Sequence, residues 1–174
     1  MENFHDLLIR RHSIRKYTDE PIAPDDVKTI LEAGLMAPSS KRSMPWEFVL
    51  VEQREMLAAL SKCKDFGALP LAGCSLAVIV CVDPERSEAW LEDASIAAVL
   101  MQLQAEDLGL GSCWVQLRGR FTADGQSAED YIRSIISIPD NLQIVCAITL
   151  GHKNEERKPF DLEKIKWEKV HIVK

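Results

Sequence analysis

Between Arg10 and Lys16 the chain sets four cations, Arg10, Arg11, Arg15 and Lys16, with no acid among them. In an extended segment alternate side chains project to one side, so Arg11, Ser13 and Arg15 would converge while His12 and Ile14 face the other way. Two guanidiniums and a hydroxyl suit a phosphate, because arginine binds phosphate oxygens in pairs and serine adds a neutral donor. Taken alone, the run also reads as ordinary solvated charge, the commoner case. A second basic pair with the same spacing, Lys164 and Lys166, stands near the other end. Residues 152–174 carry seven Lys or Arg against five acids, a local +2 where the rest of the chain is −8. By themselves these lysines read as surface charge.

Two loops could add donors. Residues 37–46, Ala-Pro-Ser-Ser-Lys-Arg-Ser-Met-Pro-Trp, place two prolines around hydroxyl and cationic side chains. Such a stiff loop suits binding, and equally suits a helix-to-strand connection whose serines satisfy their own backbone. Residues 108–116 hold Gly109-Leu110-Gly111, which lacks the third glycine and the preceding strand of a dinucleotide fingerprint. There is no P-loop, GxSxG elbow or HExxH, and the four histidines are scattered. Five cysteines form no CxxC pair and no zinc spacing, so they are expected to be reduced and structural, and no metal is expected. With no nucleophile, metal or acid–base pair in view, but with anion-binding segments, the expectation is a bound cofactor that carries the chemistry.

The elements that must position these residues follow from periodicity. Pro24-Asp25-Asp26 opens a helix with Val27, Ile30, Leu31, Gly34 and Leu35 on one face. Met56, Leu57 and Leu60 repeat the pattern, and a long helix is expected over residues 91–108. Ile96, Val99, Leu100 and Leu103 form its stripe, Gly109 caps its end, and Ala94, Ala97 and Ala98 permit close approach. Strands are expected at 46–51, 76–82, 112–117 and 143–150; the second is apolar throughout and belongs in mid-sheet, buried on both faces. Helices must then cover both faces of a layered α/β domain. At 174 residues, 47% hydrophobic, without repeat or linker, residues 1–174 are expected to form one domain. Net charge −6 argues against nucleic-acid or anionic-membrane partners, and no apolar run approaches a membrane span. With no export signal visible in the first six residues, a cytoplasmic location is expected. The polar tail from Gly151 ends in Val170-His171-Ile172-Val173, which reads as a short strand without a partner in its own chain, hence an arm for a second subunit.

In combination these features resemble the FMN-dependent nitroreductase superfamily. Arg11-His12-Ser13-Ile14-Arg15-Lys16-Tyr17 is similar to its amino-terminal segment, which grips the FMN phosphate and ribityl chain. Residues 37–48 resemble the second block, implying flavin contacts from Pro38, Ser39, Ser40 and Arg42. Residues 109–114 resemble the third, after which, at Val115, Gln116 and Leu117, a backbone N–H would meet the flavin N5. Lys164 and Lys166 match the tail position that supplies basic residues to the phosphate. The resemblance implies an α+β nitroreductase-like fold: a mostly antiparallel sheet flanked by helices, with carboxy-terminal arms exchanged in a homodimer. It implies non-covalent FMN, reduced by NADPH or NADH and reoxidised, ping-pong fashion, by nitro compounds, quinones or similar electron-poor acceptors, with no catalytic side chain required. On the same scaffold a dehydrogenase, a dehalogenase, a flavin-breakdown enzyme or a non-catalytic flavin-binding module is the alternative. The chain departs from the pattern at Arg42 and Met44, where relatives usually have asparagine and glutamine. Arg42 could favour anionic acceptors or the reduced flavin, or could simply turn to solvent. Residues 62–71, which vary in relatives and help cover the flavin, match nothing residue by residue.

Overall fold

Four segments of strand pattern pair into one antiparallel sheet in a computed structural model that describes residues 3–173. They are β1 (Trp46–Val51), β2 (Leu76–Val82), β3 (Gly111–Gln116) and β4 (Gln143–Gly151), in the order β1-β2-β4-β3. Met1, Glu2 and Lys174 lie outside the described residues. β2 is interior and buried along its whole length, as its unbroken apolar run requires. Its residues alternate between two cores: Ala77, Ile79 and Cys81 face one side, Val78, Val80 and Val82 the other. Both sides are covered, as expected, and every pairing is antiparallel, so the class is α+β.

Helices α2 (Pro24–Leu35) and α5 (Trp90–Asp107) cover one face; α3 (Arg54–Leu60), α4 (Pro70–Gly73) and α6 (Ala128–Ile135) cover the other. Helix α1 (Phe4–Arg10) packs on α5. Proline at the first turn and two aspartates start α2 as the sequence indicates. Gly109, at φ +78°, ends α5 in a Schellman cap: its N–H reaches the Glu106 carbonyl at 3.0 Å and the Leu110 N–H reaches Ala105 at 2.8 Å. The face that α5 buries is the small one, Ala94, Ala97, Ala98, Met101 and Ala105, whereas Ile96 and Val99 of the larger stripe are 40% and 45% exposed. Close packing on α2 explains the choice, because a Cβ at Gly34 would stand 2.9 Å from Met101 Cγ.

Two differences from the sequence expectation matter below. β3 begins and ends one residue early and β4 runs on to Gly151, which pairs with Gly111. Residues 170–173 form no strand; the tail holds only 3-10 turns at Leu162–Lys164 and Trp167–Lys169, and residues 156–173 are all exposed. A strand needs a free ladder beside it, and the tail lies along none in its own chain. All five cysteines are free and buried, and burial pushes the Cys63 thiol up to about 11 and those of Cys74 and Cys81 up to about 12. Among the described residues no cluster could hold a metal ion, and no helix is long and apolar enough to cross a membrane.

Candidate functional site

The basic amino-terminal segment is extended because the sheet makes it so. After α1 the backbone of Arg11 turns to φ −61°, ψ 123°. The Ile14 N–H then donates to the Ser112 carbonyl at 2.9 Å, Thr18 N–H to His152 at 3.0 Å, and Asn154 N–H to Lys16 at 3.0 Å. The segment thus crosses the start of β3 and the end of β4. Two glycines that face each other in the ladder let it lie flat. A Cβ on Gly111 would approach Ile14 Cγ2 to 2.8 Å, and one on Gly151 would approach the Tyr17 ring to 2.8 Å. Tyr17 is pinned from below, its buried hydroxyl contacting the Ile14 carbonyl and, at 2.7 Å, Thr149 Oγ1. Desolvation drives that phenol far above its ordinary value, so it stays neutral.

With Ile14 and Tyr17 buried, Arg15 is exposed, and Ser13 is half-buried with its side chain against the Cys113 thiol. Among the described residues neither Arg11 nor Arg15 pairs with a carboxylate; Arg15 Nη1 makes only a long contact, 3.5 Å, to the Ser13 carbonyl. The nearby acids are otherwise engaged. Glu106 holds Lys153 Nζ at 2.8 and 2.9 Å. Glu155 accepts from the Arg15 backbone N–H at 2.5 Å and pairs with Arg157 at 2.7 Å; those bonds, the Arg15 N–H first, hold its carboxyl below the usual range. His12 is half-buried, and its Nε2 is buried with no hydrogen-bond partner. The segment therefore offers two guanidiniums, a hydroxyl and an unpartnered imidazole nitrogen without a neutralising acid, which is what an anionic group needs.

β3 is an edge strand. Because the Ser112 carbonyl points outward to Ile14, ladder alternation directs the N–H groups of Trp114 and Gln116 outward as well. Ser112 to Gln116 spans about 13 Å at the usual rise per residue. The Gln116 side chain is fixed: its Oε1 accepts from Trp114 Nε1 at 2.9 Å and its Nε2 donates to the Arg118 carbonyl at 3.0 Å. Of the three expected N–H groups, Val115 faces β4 and Leu117 donates to the Val145 carbonyl at 3.3 Å, leaving Gln116 on the open edge. Beside it a cavity of about 510 Å³ is lined by residues 64–66 and 119–122.

The loop after α2 lies elsewhere. Lys41, Arg42 and Met44 have φ of 53°, 55° and 43°, three left-handed non-glycine residues in four positions. Such strain persists only where the surroundings enforce it. Here Asp93, 3% exposed in the first turn of α5, does so: its Oδ1 accepts from the Ser40 N–H at 2.9 Å and its Oδ2 from Ser87 Oγ at 2.7 Å. Ser39 Oγ accepts from Met44 N–H at 3.0 Å. Pro38 and Arg42 are exposed, Ser39 and Ser40 half-buried. Ala37 and Trp46 flank this loop in the α2/α5 core, whereas Ile14 and Tyr17 belong to the opposite core. The Arg11–Arg15 segment and the chain around residues 64–66 are thus anchored in one core of the sheet and residues 38–44 in the other. Lys164 pairs locally with Asp161 at 3.3 Å, and both it and Lys166 are exposed on the tail.

Sequence reasoning did not single out Asp93 or the Gly111–Gly151 pair. An acid in a first helical turn reads simply as favourable to the helix dipole, and nothing local points to a loop 53 residues away. The Gly111–Gly151 pair shows only once β3 and β4 are in register.

Comparison with known proteins converges on one family. The model of the nitroreductase family matches residues 8–68 and 73–152. An FMN-dependent nitroreductase of Clostridium difficile R20291 superposes with a TM-score of 0.93 at 40% identity, over 98% of this chain and 99% of that one. A nitroreductase with bound FMN from Bacteroides fragilis NCTC 9343 aligns over the full length of both chains, with a TM-score of 0.79 and 26% identity. The NADPH-flavin oxidoreductase of Vibrio harveyi is 26% identical over 91% of this chain and 70% of its own.

Proposed function

The chain belongs to the nitroreductase family, and on that premise we propose that it is an oxidoreductase that holds FMN non-covalently and passes electrons from NADPH or NADH to nitro compounds, quinones or similar acceptors. The residues fit such a group. Arg11, Ser13 and Arg15 would take the phosphate, with the His12 Nε2 as a further partner. The edge from Ser112 to Gln116 would accompany the ribityl chain, and the outward Gln116 N–H would meet the ring nitrogen. Val115 and Leu117 would serve by holding that amide in place. When bound, FMN supplies hydride acceptance and donation at N5. For a nitro acceptor, two electrons and two protons give the nitroso product and water, the reductant delivering hydride and solvent the second proton.

The protein's own part is to position and to polarise. Unneutralised arginines favour a dianionic phosphate, and a preoriented backbone N–H needs no reorganisation when charge builds on the atom it faces. Reductant and acceptor would use the cavity beside Gln116 in turn, giving ping-pong kinetics. Pro38, Ser39, Ser40 and Arg42 belong to the loop anchored in the other core, so they would serve the site of a second protomer, and Lys164 and Lys166 would reach the phosphate as the arm is exchanged. The reading includes a cytoplasmic homodimer of single-domain chains.

One observation carries this reading: an extended Arg11–Arg15 segment, whose two guanidiniums pair with no carboxylate among the described residues, docked beside an open strand edge. Purified protein should be yellow, and anaerobic NADPH or NADH should bleach it. A yellow protein that neither nucleotide bleaches would make it a flavin-binding module. A colourless protein that FMN does not reconstitute would overturn the assignment.

A further inference from the structure

The cavity beside Gln116 brings cations and aromatic side chains together on one wall. Lys64 and Arg120 face it together with the side chains of Phe66 and Phe121, which are 83% and 58% exposed. The two segments are tied to each other, the Asp65 N–H donating to the Phe121 carbonyl at 3.0 Å. Among the described residues neither Lys64 nor Arg120 makes an ion pair. Asp65 is the only acid in the lining, and Thr122 turns instead to Asp124, at 2.5 Å. Burial lowers the Lys64 ammonium below its ordinary value; the Cys63 thiol opposes this and the Arg120 guanidinium adds to it. Two cations on one cavity wall beside two exposed aromatic side chains suit an anion attached to a flat ring.

We propose that this cavity is the acceptor subsite and selects planar aromatic acceptors bearing a carboxylate, with Lys64 and Arg120 binding the anion and Phe66 and Phe121 covering the ring. The inference rests on the functional reading above for the word acceptor, but the binding preference stands without it. Benzoate should bind at least tenfold more tightly than the isosteric benzamide in calorimetric titrations, with or without FMN. In turnover, the ratio of kcat/KM for 4-nitrobenzoate over 4-nitrobenzamide should exceed ten. Lys64→Gln with Arg120→Gln should bring both ratios close to one. Both side chains are on the cavity wall rather than in the core, and circular dichroism matching the wild type would verify that the variant folds.

Equal binding of benzoate and benzamide by the wild type would overturn the proposal, as would a preference that survives the double substitution. A double variant that loses discrimination between NADPH and NADH while keeping the benzoate preference would also overturn it, assigning the cations to the reductant's extra phosphate. A colourless, unreducible protein that still prefers benzoate would defeat the functional reading and leave the anionic subsite standing. The two failures are thus distinct.

Discussion

At the scale of single residues, the site depends on which polar groups are engaged before a ligand arrives. Among the described residues Arg11 and Arg15 make no ion pair, and Glu106 and Glu155 are occupied by Lys153 and Arg157. A charge-assisted hydrogen bond is worth about 1.5–3 kcal/mol, so Arg11→Ala or Arg15→Ala should weaken FMN binding by about ten- to a hundredfold while thermal unfolding stays near wild type. Fluorescence titration with FMN decides this, and unchanged affinity would refute the phosphate assignment. This part was legible in the sequence because strand alternation is a local property of Arg11, Ser13 and Arg15. Asp93 was not legible, since its partners are set by packing. Replacing it by alanine strips acceptors from the Ser40 N–H and the Ser87 hydroxyl. The cost should be about 1–3 kcal/mol in urea unfolding. The left-handed residues Lys41 and Arg42 should then relax, so tryptic cleavage there should quicken at least tenfold; Asp93→Asn, which keeps an oxygen for Ser40, should do less.

At the scale of elements, strand pattern transferred to the fold almost intact, because β2 is apolar on both faces and leaves one place for itself. Helix α5 was less transparent. Its larger side chains suggested a core-facing stripe, yet the face of Ala94, Ala97, Ala98 and Met101 is the buried one, with Met101 set against Gly34 of α2, since helix separation there is set by the smallest residues. The Gly111–Gly151 pair acts similarly for the amino-terminal segment. A methyl group at Gly111 meets Ile14, which is itself buried, so the segment must shift or the core must overpack, at about 1–3 kcal/mol. Gly111→Ala should therefore cost stability and FMN retention together. Adding Ile14→Ala removes the opposing Cγ2 methyl group, so the losses of the two single variants should be less than additive in the double. Calorimetry and flavin content of the single and double variants would measure this, and additive or larger losses would contradict the steric account.

At the scale of the whole molecule, burial of five thiols and exposure of the tail lead in opposite directions. Cys63, Cys74 and Cys81 hold their protons to about 11, 12 and 12, above the ordinary 9.0. Their contribution to stability is thus complete below pH 9 and is lost as pH rises through the folded values. The thermal midpoint should fall between pH 9 and 11, and the fall should be shallower in Cys63→Ala; parallel profiles would exclude a part for that thiol. The tail, by contrast, has little holding it to its own chain. Beyond the Phe160 N–H bond to the Ile9 carbonyl, 2.8 Å, it leaves Leu162, Ile165, Val170 and Ile172 in solvent, with Trp167 70% exposed. Helix α5 shows Ile96 and Val99 to the same solvent, and residues 38–44 are anchored in the opposite core from Arg11–Arg15. Exchange of arms between two copies would cover the apolar surface, at about 25 cal/mol per Å² buried, and would supply Lys164 and Lys166 to the phosphate. Deleting residues 161–174 should therefore convert the protein to monomer in sedimentation equilibrium and lower FMN affinity at least tenfold. Lys164→Gln with Lys166→Gln should lower the affinity while leaving the dimer whole, which separates loss of charge from loss of assembly. A truncated protein that stays dimeric and fully yellow would mean that the exposed arm serves neither purpose.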